Sequence, residues 1–261
     1  MIKVKPISFF QRSLKGVLSR ILEFIENNNN ADFYSNGESD FVESVFQSYK
    51  NQAINIFDVG GNNGSYVSII IKNAAKYSVN YKIHVFEPVK ASYAILKEKY
   101  GSNPNVILNN FGLSDNNGEQ VIYLNKEGSS LASLYPRDLQ QYNISMDMKE
   151  VVVLKKLADY VDETKIDKIH FLKIDIEGHE LSAFNGFGKY LSPEFIPLIQ
   201  FEYGGANIDS KVFLKDLYKV LEAKGYCLCK IKKGFLEKRK YNAKMENFQY
   251  ANYVALNNSL I

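Results

Sequence analysis

The chain has 261 residues, of which 46% are hydrophobic and 23% charged, so it can bury a sizeable core and is neither disordered nor fibrous. Its 32 Lys and Arg against 29 Asp and Glu leave a formal charge of +3, which argues against a dedicated nucleic-acid binder with its strongly basic footprint. No apolar run approaches the roughly 20 residues needed to cross a bilayer, and Gln11, Arg12 and Lys15 interrupt any signal-peptide core, so a cytoplasmic location is expected.

Along the chain, Phe10, Leu14, Val17, Leu18, Ile21, Leu22 and Ile25 recur at steps of three and four and predict an amphipathic helix. A polar stretch from Asn27 to Ser39 follows, then a short helix carrying Phe41, Val42, Val45, Phe46 and Tyr49. Residues 1–50 therefore read as a helical appendage capping a main domain of residues 51–261. A basic amphipathic helix also suits peripheral membrane contact, a substrate lid or a homo-oligomer interface.

From Ile54 the pattern becomes strand, helix, strand. Strands are expected at Ile54–Val59, Lys82–Phe86, Val106–Asn109, Ile169–Ile174, Ile196–Phe201, Tyr226–Ile231 and Tyr253–Leu256. Helices over Gly64–Lys76, from Pro88, after Gly178 and around Val212–Leu221 separate them, the last bearing Val212, Phe213, Leu217, Val220 and Leu221. This alternation specifies an α/β, doubly wound, mostly parallel seven-stranded sheet covered on both faces. Glu119–Leu124 and Val151–Lys155 add strands around an insert, Ser129–Tyr142, at the carboxyl edge of the sheet, where open α/β sheets bind ligands. Cys227 and Cys229 lie two apart on one strand face, read as small buried hydrophobes. His84 and His170 read as structural residues in strand interiors.

The segment Ile56–Tyr66 is an apolar strand ending in a glycine turn that opens a helix, which suits a ligand close to the main chain. Asp58 bears on which ligand. A carboxylate about 4 Å from a pyrophosphate costs about 4 kcal/mol at an effective dielectric near 20, whereas a cationic group is attracted. S-adenosylmethionine (SAM) carries such cationic groups. Glu87, at the end of the second strand before Pro88, is placed to accept both ribose hydroxyls, and Asn109 or Asn110 to meet the adenine edge.

Phe171–Glu180 ends the fourth strand and enters a helix, with Asp175 and Glu177 pointing the same way and His179 at the helix start. Glu202 ends the fifth strand beside the same cleft. Crowded carboxylates raise one another's pKa, so this group suits a general base or a shared divalent cation. Asp175 or His179 is the preferred base, and the cation role stays open. Helix capping by Glu177 or Glu180, with His179 merely solvated, is the plain alternative. The stretch Lys230–Lys244 holds seven cations against one carboxylate, read either as a solvated hairpin or as a rim for a phosphate-bearing acceptor.

The motifs Phe57-Asp-Val-Gly-Gly-Asn-Asn-Gly64, Val85-Phe-Glu-Pro88, Asn110-Phe-Gly-Leu-Ser-Asp115, Ser129-Ser130-Leu131 and Leu172-Lys-Ile-Asp-Ile-Glu-Gly-His179 resemble, in order and spacing, the FkbM family of SAM-dependent methyltransferases. The resemblance covers about residues 54–205 and implies a class I methyltransferase (Rossmann-like) fold and O-methylation of sugar hydroxyls, in a nucleotide sugar or a surface polysaccharide. It implies a SAM site at Asp58, Gly60, Gly61, Asn62, Asn63, Gly64, Glu87, Pro88, Asn110 and Asp175. Lys173, Asp175, Glu177 and His179 then border the acceptor, joined by Glu202 on the adjacent strand. Gly61 stands where the family more often has Ala, a change expected to be harmless. A nucleic-acid or other small-molecule methyltransferase, and a non-catalytic scaffold on the same fold, are the competing readings.

Overall fold

The computed structural model describes residues 5–260. Its main sheet has eight strands rather than seven, in the order β10-β9-β11-β8-β7-β1-β2-β3. The central strands β1 (Ala53–Val59), β2 (Asn80–Phe86), β3 (Val106–Asn109), β7 (Phe171–Ile174) and β8 (Leu198–Tyr203) pair in parallel. At the far edge β9 (Tyr226–Lys232), β10 (Phe235–Lys238) and β11 (Ala251–Asn257) pair antiparallel. The additional strand, β10, lies in the Lys-rich stretch, whose charges hide its strand character.

Side chains alternate across the sheet, so each strand feeds two cores. Phe57 and Val59 of β1 join a cluster with Leu172, Ile174, Ile199 and Phe201, covered by α5 (Leu157–Thr164), α6 (Glu180–Asn185) and α8 (Leu214–Ala223). Ile54 and Ile56 face the opposite cluster, under α2 (Glu38–Ser48) and α3 (Ser65–Tyr77). Both cysteines lie in that second cluster, buried and unbridged, as their spacing predicted. His84 is buried against the Tyr160 hydroxyl at 2.7 Å, but His170 stands just before β7, where its Nδ1 accepts the Asn55 N–H. Phe213, expected within the helix, is its half-exposed N-cap, and α8 begins at Leu214.

The insert forms a second, three-stranded sheet of β4 (Gly112–Leu113), β6 (Met148–Lys155) and β5 (Gly118–Leu124). It packs Ile122, Leu124, Val152 and Leu154 around Val89, at the start of α4 (Lys90–Tyr100). The small sheet thus sits over the carboxyl ends of β2 and β3.

The two N-terminal helices behave differently. Helix α2 is built into the body, with Phe41, Val42, Val45 and Phe46 buried in the second cluster. Helix α1 (Phe9–Glu26) buries none of its residues, so the expected packing of its apolar stripe on the domain does not occur. Nor does the basic stretch form a rim. Lys230 and Lys232 are buried, Lys230 bonding Asn28 and Lys232 the Ile25 carbonyl, while Arg239 pairs with both Glu26 and Glu237. Lys233 pairs with Asp40 at 2.9 Å. Much of this charge clasps the root of α1 to the β9–β10 hairpin.

Because Phe46 is fully buried against the sheet, Phe46→Ala is expected to destabilise the whole domain by about 3–5 kcal/mol. Guanidinium unfolding should show one shifted cooperative transition; an unshifted main transition would mean that α2 is peripheral.

Candidate active site

Strand register assembles the site. Val85, Asp58, Lys173 and Gln200 are neighbours in one row across β2, β1, β7 and β8. With a side-chain period of two, the next row on the same face is Glu87, Gly60 and Asp175, each just past its strand, and Glu202, within the last pairs of β8. The first row is the floor and the second is the site.

The floor is polar and buried. Asp58 is fully buried, with no hydrogen bond to either carboxylate oxygen, and its cation is Lys173, 3.9 Å away. Burial raises the Asp58 pKa to about 6, against the pull of Lys173. Lys173 also bonds Asp175 at 3.1 Å and lies 4.9 Å from the centre of the Tyr66 ring. Burial alone would lower its pKa, but Asp175 and Asp58 hold the ammonium above its ordinary value. Tyr66 donates to Gln200 at 2.8 Å, and Gln200 donates to Glu38 of α2 at 2.6 Å.

Above the floor lies a cavity of about 490 Å³, within the range of small-molecule sites. Gly60 lines it where the backbones of β1 and β7 pack closely: with φ near 90°, a Cβ there would stand 1.9 Å from the Asp175 carbonyl oxygen. Gly61 packs as closely, since a Cβ would meet Val85 at 2.3 Å. Glycine at 61 thus fits without strain, whereas Ala in this chain would require Val85 to shift. Glu87 is 5% exposed and accepts the N–H groups of Asn62 and Val89, both at 2.8 Å. Its oxygens keep further lone pairs toward the cavity that it lines. Burial raises its pKa to about 7 despite those two bonds.

The opposite wall is the loop after β7. Glu177 takes a left-handed backbone, φ 53°, and is held from the insert: Arg137 donates to its carboxylate at 2.6 Å and Ser133 to its carbonyl at 2.9 Å. Burial, and then the charge of Asp175, raise Glu177 to about 8 against the pull of Arg137. Glu180 does the capping, accepting the N–H groups of Ile176 and Gly178. Burial lifts Glu202 well above the carboxylate range, reinforced by Asp175, Glu177 and Glu180.

His179 is buried, not solvated. Its Nε2 lies 2.9 Å from the Ser114 hydroxyl and its Nδ1 2.9 Å from the Tyr135 hydroxyl. Ser114 has one proton and gives it to Asp115, so His179 Nε2–H donates to Ser114, and Nδ1 accepts from Tyr135. Burial lowers the imidazole to about 4. Both ring nitrogens are occupied in tying the β7 loop to β4 and the insert, which corrects the reading of His179 as a candidate base.

Of the residues expected to hold SAM, Gly60, Gly61, Asn62, Asn63, Glu87, Pro88 and Asp175 line the cavity. Asp58 and Gly64 stand behind the wall. Asn63 uses its side chain to cap Ser65. Asn110 is a correction: its amide donates to the carbonyls of Glu87 and Pro88 and does not line the cavity, and Asn109 donates to Val85. Lys173, Glu177, His179 and Glu202 all reach the cavity wall. Among the described residues no group of three or more His, Cys, Asp or Glu is placed to hold a metal ion.

Sequence reasoning missed Gln200, Glu38 and Arg137. A polar residue inside Leu198-Ile-Gln-Phe201 was a readable signal for the first. For Arg137 it was weaker: this Lys-rich chain has no other arginine between Arg20 and Arg239.

A mostly parallel, doubly wound sheet with a glycine turn after β1, an acid after β2 and the cavity over the carboxyl ends is the architecture of class I methyltransferases. Within that class, the chain belongs to the FkbM family: the model of the methyltransferase FkbM domain matches residues 58–228. Solved structures with similar architecture include the N-terminal domain of human METTL16, at 9% identity and TM-score 0.46, covering 96% of this chain and 83% of that one. Another is the Burkholderia thailandensis 1,6-didemethyltoxoflavin N1-methyltransferase with S-adenosylhomocysteine, at 7% identity and TM-score 0.39, covering 98% and 93%. A rRNA-methylase, so described, of Clostridium thermocellum aligns at 11% identity and TM-score 0.43, covering 84% and 94%. No curated protein matches the chain.

Two titrations test these environments. NMR of the His179 ring should show a neutral imidazole from pH 8 down to about 5, with protonation only near 4; a midpoint near 6.5 would refute the two-hydroxyl clamp. For Glu87 the folded pKa is raised, to about 7 from 4.5, so the folded state holds the extra proton between those values. Its contribution to stability is therefore full below pH 4.5 and falls as pH rises to about 7. Urea unfolding at pH 5 and 7.5 should show a smaller relative loss at the higher pH for Glu87→Gln than for wild type.

Proposed function

We propose that the protein is a SAM-dependent O-methyltransferase acting on a carbohydrate hydroxyl, in a nucleotide sugar or a glycan. The observation that carries the reading is the second row of the sheet, where Gly60 leaves a gap between Glu87 on one side and Asp175 and Glu202 on the other. Glycine in that gap allows close approach to the main chain, and a flanking carboxylate is suited to ribose hydroxyls. The residues thus fit SAM, with Glu87 and the 60–63 turn at the nucleoside end and the buried polar floor beneath.

SAM, when bound, supplies an electrophilic methyl on a sulfonium. In transfer to a hydroxyl the new oxygen–methyl bond replaces the sulfur–methyl bond, and the hydroxyl proton must leave. Asp175 is the group assigned to take it, oriented by Lys173 at 3.1 Å. Glu177, clamped by Arg137, and Glu202 orient the acceptor, where paired carboxyl oxygens match the hydroxyls of a sugar. His179 acts through position, fixing the loop that carries Asp175 and Glu177. The carbohydrate class rests on the family relationship together with this carboxyl-rich wall.

The test combines calorimetry with a labelled-methyl acceptor screen over nucleotide sugars and glycans. Glu87→Ala is expected to weaken SAM by roughly tenfold or more, the loss of hydrogen bonds to a charged group. Asp175→Asn should lower kcat by about 10²–10⁴ with SAM affinity near wild type. Undiminished SAM affinity in Glu87→Ala overturns the cofactor placement, and full turnover in Asp175→Asn overturns the base.

A further inference from the structure

Helix α1 carries the largest feature that the methyltransfer site leaves unused. At 3.6 residues per turn, Phe10, Leu14, Val17, Leu18, Ile21 and Leu22 fall within an arc of about 140°, and all six are between 48% and 74% exposed. The reason they stay exposed is how the helix is attached. Its root is held from the polar side: Glu23 accepts from Gln249, Glu26 pairs with Arg239 and lies 3.6 Å from Lys230, and the Ile25 carbonyl accepts from Lys232. Fixing the polar side to the body turns the apolar arc outward.

The charges select what covers it. Between residues 5 and 22 the charged side chains are Lys5, Arg12, Lys15 and Arg20, with no acid. The two acids of α1, Glu23 and Glu26, are the ones engaged by the body. On the helix Lys15 and Arg20 flank the two edges of the apolar arc and Arg12 lies behind it, so long cationic side chains border the buried strip as they do in helices lying in a bilayer interface. A second copy would bring the same cations to the edges of a shared seam, where helix pairs use opposite charges. Phe24 and Phe235 line one groove at the root of α1, beside Lys233, and continue the apolar surface onto the β9–β10 hairpin.

We infer that α1 is a membrane-surface anchor: it lies in the interface of an anionic bilayer, with its apolar arc among the acyl chains and Lys15 and Arg20, at its two edges, against the headgroups. No helix among the described residues is long and apolar enough to cross a membrane, so the attachment is peripheral.

The experiment is co-sedimentation of the full chain with vesicles of equal parts phosphatidylglycerol and phosphatidylcholine, against phosphatidylcholine alone. The protein is expected to bind the anionic vesicles and to be recovered in the supernatant with the neutral ones. Lys15→Gln with Arg20→Gln should lower partitioning roughly 30-fold, at about 1 kcal/mol for each charge. Leu14→Asp with Ile21→Asp should abolish it while leaving the thermal midpoint unchanged, because both positions are exposed. Failure to bind anionic vesicles, or equal binding to neutral ones, overturns the proposal. So does a concentration-dependent dimer in sedimentation velocity that the double aspartate variant dissolves, which would assign the face to a second copy.

Discussion

The structure turns on one buried cation. Lys173 stands in the centre of a parallel sheet, flanked in register by Asp58 and Gln200 and capped by Asp175 from the row above. A lone ammonium at that depth is strongly disfavoured, and so is the hydrogen-bond-free carboxylate of Asp58, so each makes the other tolerable. Removing one partner of such a pair typically costs about 3–5 kcal/mol, because the other charge is left buried without its counterion. The pair therefore fixes register between β1 and β7, and with it the position of Gly60 against Asp175. Local geometry at the cavity is a consequence of a charge constraint one row below it.

A second constraint acts from above. The insert reaches the loop after β7 through Ser133, Tyr135 and Arg137, each bonded to Glu177 or His179. These bonds hold Glu177 in a left-handed conformation that a non-glycine residue adopts at a cost. Arg137 also lies 3.6 Å from Asp209, tying the loop to α7 (Ala206–Ser210). This side of the cavity is thus built from three segments distant in sequence. Its shape depends on the insert as much as on the strand that carries the acids.

Legibility in the sequence followed the range of the interactions. The α/β class, the central strands and the glycine turn were readable because period and turn chemistry are local. The acids at strand ends were readable because apolar strands make a terminal Asp or Glu conspicuous. Asn110 was misjudged since an amide at a strand end serves backbone carbonyls as readily as a ligand, and which one wins depends on how the next strand runs. His179 was placed near the cavity correctly, yet its role depended on Ser114 and Tyr135, 65 and 44 residues away. The cations of Lys230–Lys244 looked like a solvent-facing cluster because their partners, Glu26, Asn28 and Asp40, come from the other end of the chain.

That last pairing connects the two ends of the molecule to the cavity. The segment that leaves α1 is pinned at Asn27 to the carbonyls of Asn36 and Ile231, and at Asn28 to Gln249. Asn29 then donates to the Tyr250 carbonyl at 2.9 Å, and Ala31, Phe33 and Tyr250 are part of the cavity wall. Asn36 holds Glu38, which accepts from Gln200 in the floor row. A continuous series of side-chain bonds therefore runs from the root of α1 to the row that contains Lys173. The root of the helix is thereby tied to the wall of the site, although the helix itself buries no residue on the body.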